Sequence, residues 1–102
     1  MKMEGEQLDA AWARAKALSL IDPDSQALDD AFSFETELCW VFCYNSKRFV
    51  ETRDPESALF GNAPIIISKL DGSLVPSGTA EPVERYVARY ERSLRRPWWK
   101  LW

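Results

Sequence analysis

Leu38-Cys39-Trp40-Val41-Phe42-Cys43-Tyr44 is the stretch on which the fold turns. Leu38, Trp40, Phe42 and Tyr44 alternate with Cys39, Val41 and Cys43, so a strand here carries apolar side chains on both faces. Such a strand belongs in a sheet covered on both sides, by helices or by a partner. Asn45-Ser46 closes it.

Upstream, Leu28, Phe32 and Phe34 alternate with Ala31, Ser33 and Glu35, which describes a strand with one wet face. Asp30 falls on the apolar side, so the strand is expected to begin after it, with Thr36-Glu37 in the turn that follows. Downstream, residues 47–62 are the least regular part, with a short strand expected at 48–52 and a turn at Asp54-Pro55-Glu56-Ser57. Residues 64–70, rich in Ile65, Ile66 and Ile67, read as a second buried strand. Asp71-Gly72 is a strong hairpin signal, and residues 73–76 return as the next strand.

Helices are expected at both ends. Leu8, Trp12 (or Ala11), Ala15 and Leu18 follow helical spacing across residues 6–20, until Asp22-Pro23 stops the helix. Thr79 is a suitable N-cap for the last helix, with Glu81 and Pro82 in its first turn. Val83, Tyr86, Val87, Tyr90 and Leu94 then form a buried stripe. Arg92, Arg95 and Arg96 suit the negative end of that helix, and Pro97 ends it. The expected fold class is α+β. An antiparallel sheet of four to five strands is flanked by an N-terminal and a C-terminal helix, in the order α-β-β-(β)-β-β-α.

The 102 residues suit a single domain spanning 1–102, with 46% hydrophobic and 28% charged residues arguing against disorder. The polar, acidic start and the shortness of every apolar run predict no export signal and no membrane span, which makes the cytoplasm the expected address. Cys39 and Cys43 on one strand would lie about 13 Å apart, beyond the reach of a disulfide. Two free thiols fit a reducing compartment.

The net charge of −3 conceals an uneven distribution. Residues 1–84 carry 7 Lys/Arg against 15 Asp/Glu, and residues 85–102 carry 6 against 1. An acidic body repels phosphates, so nucleic acid is not the expected partner. A solvated surface explains the charge equally well, but an acidic face also favours a basic protein partner.

Motifs for catalysis are missing. With no histidine, His-based triads, dyads and metal ligands are excluded, and two cysteines alone make no zinc site. The four glycines, Gly5, Gly61, Gly72 and Gly78, form no phosphate loop, so neither metal nor cofactor is expected. Asp29-Asp30 and the Glu35/Glu37 pair are the remaining acid–base candidates, and a solvated strand edge accounts for them better. The chain is therefore expected to bind, not to catalyse. The tail Arg95-Arg96-Pro97-Trp98-Trp99-Lys100-Leu101-Trp102 interleaves tryptophans with cations. Partner contact, a weak interfacial anchor and folding back onto the core all suit it.

The chain from Trp40 onward resembles the YrhB-like family, known as immunity protein 35 of bacterial polymorphic-toxin systems. The resemblance rests on Trp40-Val41-Phe42, Tyr44-Asn45-Ser46 and Gly61-Asn62-Ala63-Pro64-Ile65-Ile66-Ile67. It continues through Asp71-Gly72, Gly78-Thr79-Ala80 and the helix with Glu84, Tyr86 and Tyr90. It implies a small cytoplasmic protein, without catalytic residues, that neutralises a cognate protein toxin by binding it. The shared residues look structural: Gly61 and Gly72 suit positive φ, Asn62 suits loop backbone groups, and Tyr86 and Tyr90 suit the core. The expected contacts therefore lie elsewhere, at Asp29, Asp30, Glu35 and Glu37, with Trp98, Trp99 and Trp102 as anchors. A chaperone-like domain holding clients on an exposed apolar sheet face is the alternative, and a homodimer is compatible with either.

Overall fold

The computed structural model describes residues 8–95. Its elements run α1 (Ala10–Leu18), β1 (Gln26–Leu28), β2 (Phe34–Glu35), β3 (Cys39–Phe42), β4 (Tyr44–Ser46) and α2 (Lys47–Thr52). A 3-10 turn at Pro55–Ser57 follows, then β5 (Ile65–Ser68), β6 (Leu74–Val75) and α3 (Val83–Arg95). The α+β class and the terminal helices match the sequence pattern. The strands, however, form two antiparallel sheets: a four-stranded one in the order β2-β3-β5-β6, and a two-stranded one of β1 and β4.

β3 is central, paired with β2 through Phe34↔Val41 and Glu35↔Trp40, and with β5 through Cys39↔Ser68 to Phe42↔Ile65. Its two apolar faces belong to two cores. Trp40 and Phe42 join Ala13, Ala17, Ile21, Leu28 and Ile67 beneath α1, with Tyr44 packed against them. Cys39 and Val41 join Ile66, Val75 and Val87 beneath α3. Leu38, expected beside Trp40, packs instead with the α3 core, because it lies in the turn where strand alternation no longer holds.

The expected continuous strand over 38–44 divides at Cys43. The reason lies across from it, where Asp29 to Ser33 bulge out of the ladder between β1 and β2. Asp29 N donates to Cys43 O at 2.8 Å, and Cys43 N donates to Ser33 Oγ at 3.0 Å. Two residues of β3–β4, Phe42 and Cys43, thus face five, and the ladder resumes on the other side. The strand expected after Asp30 is correspondingly cut to Phe34–Glu35.

Other details also differ from the sequence pattern. α1 begins at Ala10, because Asp9 caps it by accepting from Trp12 N at 2.8 Å. Its buried face is Ala13 and Ala17, while Ala11, Ala15 and Leu18 are exposed; the small residues let the helix lie close on Trp40. Residues 48–52 are helical, since Ser46 caps α2 by accepting from Phe49 N at 3.1 Å. Thr79 is not the cap of α3, which starts only after Pro82; Glu81 instead pairs with Arg89 at 2.8 Å. Leu94, on the expected stripe, is 42% exposed at the far end of α3.

Gly61 and Gly72 take positive φ, 82° and 75°. At Gly72 a Cβ would stand 2.5 Å from the Trp12 ring, so both φ and space demand glycine in the β5–β6 connection.

Candidate partner interface

The bulge and β2 bring two of the four expected acidic contacts, Asp30 and Glu35, to one concavity, and Glu37 lies in the turn that follows. Asp30 lies in the bulge, Glu35 on β2 and Glu37 in the turn leading to β3, and all three are exposed. Among the described residues, β2 is one of the two edge strands of its sheet. A shallow concavity of about 260 Å³ separates it from α1, lined by Arg14, Asp30, Phe34 and Glu35 over Trp40 and Phe42.

Neighbouring cations order these acids. Arg14 holds Asp30 with both terminal nitrogens, at 2.7 and 3.3 Å. Lys69 reaches Glu35 at 2.5 Å while its ammonium lies 5.5 Å from the Trp40 ring. Both pairs are exposed enough that each contributes little to stability. The turn carrying Glu37 is fixed from α3, where Glu91 Oε2 accepts from Thr36 Oγ1 at 2.6 Å and Leu38 N at 3.0 Å.

Asp29, expected at the surface with its neighbour, is only 3% exposed. Arg53 Nη1 donates to Oδ2 at 2.6 Å and Nη2 to Oδ1 at 2.8 Å. Those bonds hold the Asp29 carboxyl below the usual carboxylate range, against the opposing effect of burial. A buried charge needs such a partner, and the bulge is the result. Around Asp29 the chain turns tightly: Phe32 N and Ser33 N donate to Asp29 O at 3.1 Å, and Ser33 Oγ does so at 2.8 Å. Arg53 occupies the left-handed region, φ 61°, at the end of α2, with its N–H on Phe49 O. Its guanidinium lies 5.8 Å from the Phe32 ring and 5.3 Å from the Phe49 ring.

Trp98, Trp99 and Trp102 lie outside the described residues. Phe32, expected to point into the core, is instead 63% exposed on the bulge. Arg53 and Glu91 were not singled out by sequence patterns, and Phe32 was marked only as an apolar strand position. The one signal was Asp30 standing on the apolar side of an otherwise alternating run, which marks a break in the strand. The residues of the Gly-Asn-x-Pro motif are structural: Asn62 Nδ2 donates to Tyr44 O at 2.5 Å, steadying the end of the sheet.

Among the described residues, no cluster of three or more Asp, Glu or Cys side chains is placed to hold a metal ion. No buried side-chain nitrogen or oxygen among them lacks a hydrogen-bond partner. No helix among them is long and apolar enough to cross a membrane.

A family model described as immunity protein 35 matches residues 9–91, from the cap of α1 into the last turns of α3. An uncharacterized protein, YrhB, of Escherichia coli (strain K12) is 46% identical over 52 residues. That match spans 51% of this chain and 55% of the relative, so the chain covers about half the length of the curated relative it matches. No solved structure matches the chain.

Proposed function

The chain belongs to the immunity protein 35 family, and from that premise we propose that it binds a cognate protein toxin and neutralises it by stoichiometric occlusion, without catalysis. The observation that carries this reading is the exposure of Asp30, Glu35 and Glu37 on a scaffold in which, among the described residues, no buried side-chain nitrogen or oxygen lacks a hydrogen-bond partner. Acidic side chains complement toxins whose active sites attract nucleic acid or other anionic substrates, and they speed encounter. An interface of about 1,600 Å² would cover the toxin's site. Protection of this kind operates where the toxin acts, in the cytoplasm, and needs no cofactor. Trp98, Trp99 and Trp102 extend the contact surface in this proposal.

A chaperone-like holdase needs an exposed apolar sheet face. Both faces of the four-stranded sheet lie under helices, α1 on one and α3 on the other, which favours the immunity reading. Co-expression with a candidate toxin from a neighbouring gene tests it. Rescue of growth together with a one-to-one complex supports immunity; toxicity unchanged, with binding to many unfolded proteins, supports the holdase.

A further inference from the structure

An apolar groove of about 340 Å³ runs between β6 and α3, walled by residues 75–77 on one side and by Tyr86, Arg89, Tyr90 and Ser93 on the other. Among the described residues β6 is an edge strand, so no further strand covers this side. The hydroxyl protons of the groove are already engaged by the fold. Ser77 Oγ donates to Pro64 O at 2.8 Å, Ser93 Oγ to Tyr90 O at 2.7 Å, and Tyr90 Oη to Ser68 Oγ at 2.8 Å. Ser77 and Ser93 therefore keep lone pairs but have no proton to give, so an occupant must donate to them. The Arg89 guanidinium lies 5.8 Å from the Tyr86 ring, and Glu81 balances its charge at 2.8 and 3.0 Å. The groove thus suits an uncharged aromatic ring that carries an N–H donor, which is the chemistry of an indole.

Such a ring is tethered next to the groove. Ser93 stands two residues before the end of α3 at Arg95, and residues 96–102 follow, with Trp98, Trp99 and Trp102 among them. The α3 wall from Tyr86 to Ser93 is about 10 Å long at about 1.5 Å per residue. Seven residues of extended chain span up to about 23 Å, enough to turn at Pro97 and run back along that wall. In extended chain Trp99 and Leu101 share one face, free of charge, while Trp98, Lys100 and Trp102 share the other. A segment tethered this closely acts at an effective concentration on the order of millimolar, ahead of any external apolar segment. We infer that residues 97–102 fold back into the groove between β6 and α3, with the Trp99 ring seated against Tyr86 and Tyr90 and its N–H donating to Ser77 or Ser93. The docking does not depend on the immunity reading. It refines the contact surface proposed there, with Trp98 and Trp102 facing outward and Trp99 holding them in place.

Thermal melting and NMR of the full chain test this with no toxin present. Trp99→Ala should lower the melting temperature by about 4 °C or more, as should removal of residues 97–102, whereas Trp98→Ala should leave it nearly unchanged. Nuclear Overhauser contacts should join the Trp99 ring to Tyr86 or Tyr90. Amide shifts caused by Trp99→Ala should extend to residues 75–77, across the groove and far from the substitution in sequence. Trp99→Phe keeps a ring but loses the N–H, so it should retain those contacts and recover only part of the melting temperature. A melting temperature untouched by removal of residues 97–102, with amide shifts confined to the residues beside the cut, overturns the docking. An equal loss from Trp98→Ala overturns the facing assigned to Trp99. Contacts seen only between differently labelled chains seat the tail of a second copy in the groove and overturn the intramolecular form. Each of these failures leaves the immunity reading standing, since that reading is decided by co-expression.

Discussion

Arg53, which ends α2 in the left-handed conformation, grips the buried carboxylate of Asp29 through both terminal nitrogens, 24 residues away in the chain. This pair joins α2 to the bulge between the two sheets. Arg53 is half-exposed and Asp29 is not, so the two partners should respond unequally to substitution.

Arg53→Ala leaves the Asp29 carboxylate buried without a counter-charge and should cost about 3 kcal/mol at pH 7. Asp29→Asn should cost less, since the released guanidinium can turn to water. The pH dependence has a definite sign. Arg53 holds the folded Asp29 below its ordinary value, so the pair stabilises above the unfolded carboxylate value of about 4 and is lost as pH falls through the folded value. Without Arg53 the buried carboxyl titrates upward instead. Urea denaturation at pH 7 and again below pH 4 should therefore show the gap between Arg53→Ala and the parent narrowing in acid. A gap that stays constant with pH would remove Asp29 titration as its cause.

Trp40 is 6% exposed, cross-strand from Glu35 and Ile67, and underlies α1. Trp40→Ala should cost about 3–5 kcal/mol, a large part of a small domain's stability. Thermal melting checks this. An unchanged melting temperature with lost toxin binding would make Trp40 an interface residue.

Cys39 is fully buried and Cys43 half-buried, and burial pushes both thiols up from their ordinary value. Titration of denatured, unreduced protein should find two thiols per chain. In the native state Cys43 should react slowly at neutral pH, and Cys39 only on unfolding. A rapid native reaction of Cys39 would contradict its place between β3 and α3.

If the acidic edge steers the toxin, association should slow as salt rises. Neutralising substitutions are the cleaner probe here, because a lysine at 35 would stand against Lys69. Glu35→Gln with Glu37→Gln should lower the on-rate several-fold while changing stability by no more than about 0.5 kcal/mol. Stopped-flow association at two salt concentrations decides the matter; salt-independent rates, the same in both proteins, would exclude electrostatic steering by this edge.

The sequence by itself determined the class of the fold, the central strand and the sidedness of Trp40, Phe42, Cys39 and Val41. Alternation and helical spacing are local regularities, and burial on both faces follows from them directly. The positive φ at Gly61 and Gly72 was legible for the same reason, since it is a property of single residues. What only the tertiary structure decided is where those regularities stop. The ladder breaks opposite Cys43 because Asp29 finds Arg53 from α2, and residues 48–52 coil because Ser46 caps them. Neither partner is marked by spacing along the chain. The candidate residues shared that division: Asp30, Glu35 and Glu37 were readable as exposed acids, whereas Asp29 went inside and Phe32 came out. Polar alternation cannot distinguish a strand from a bulge when the deciding energy is a buried ion pair formed between distant segments.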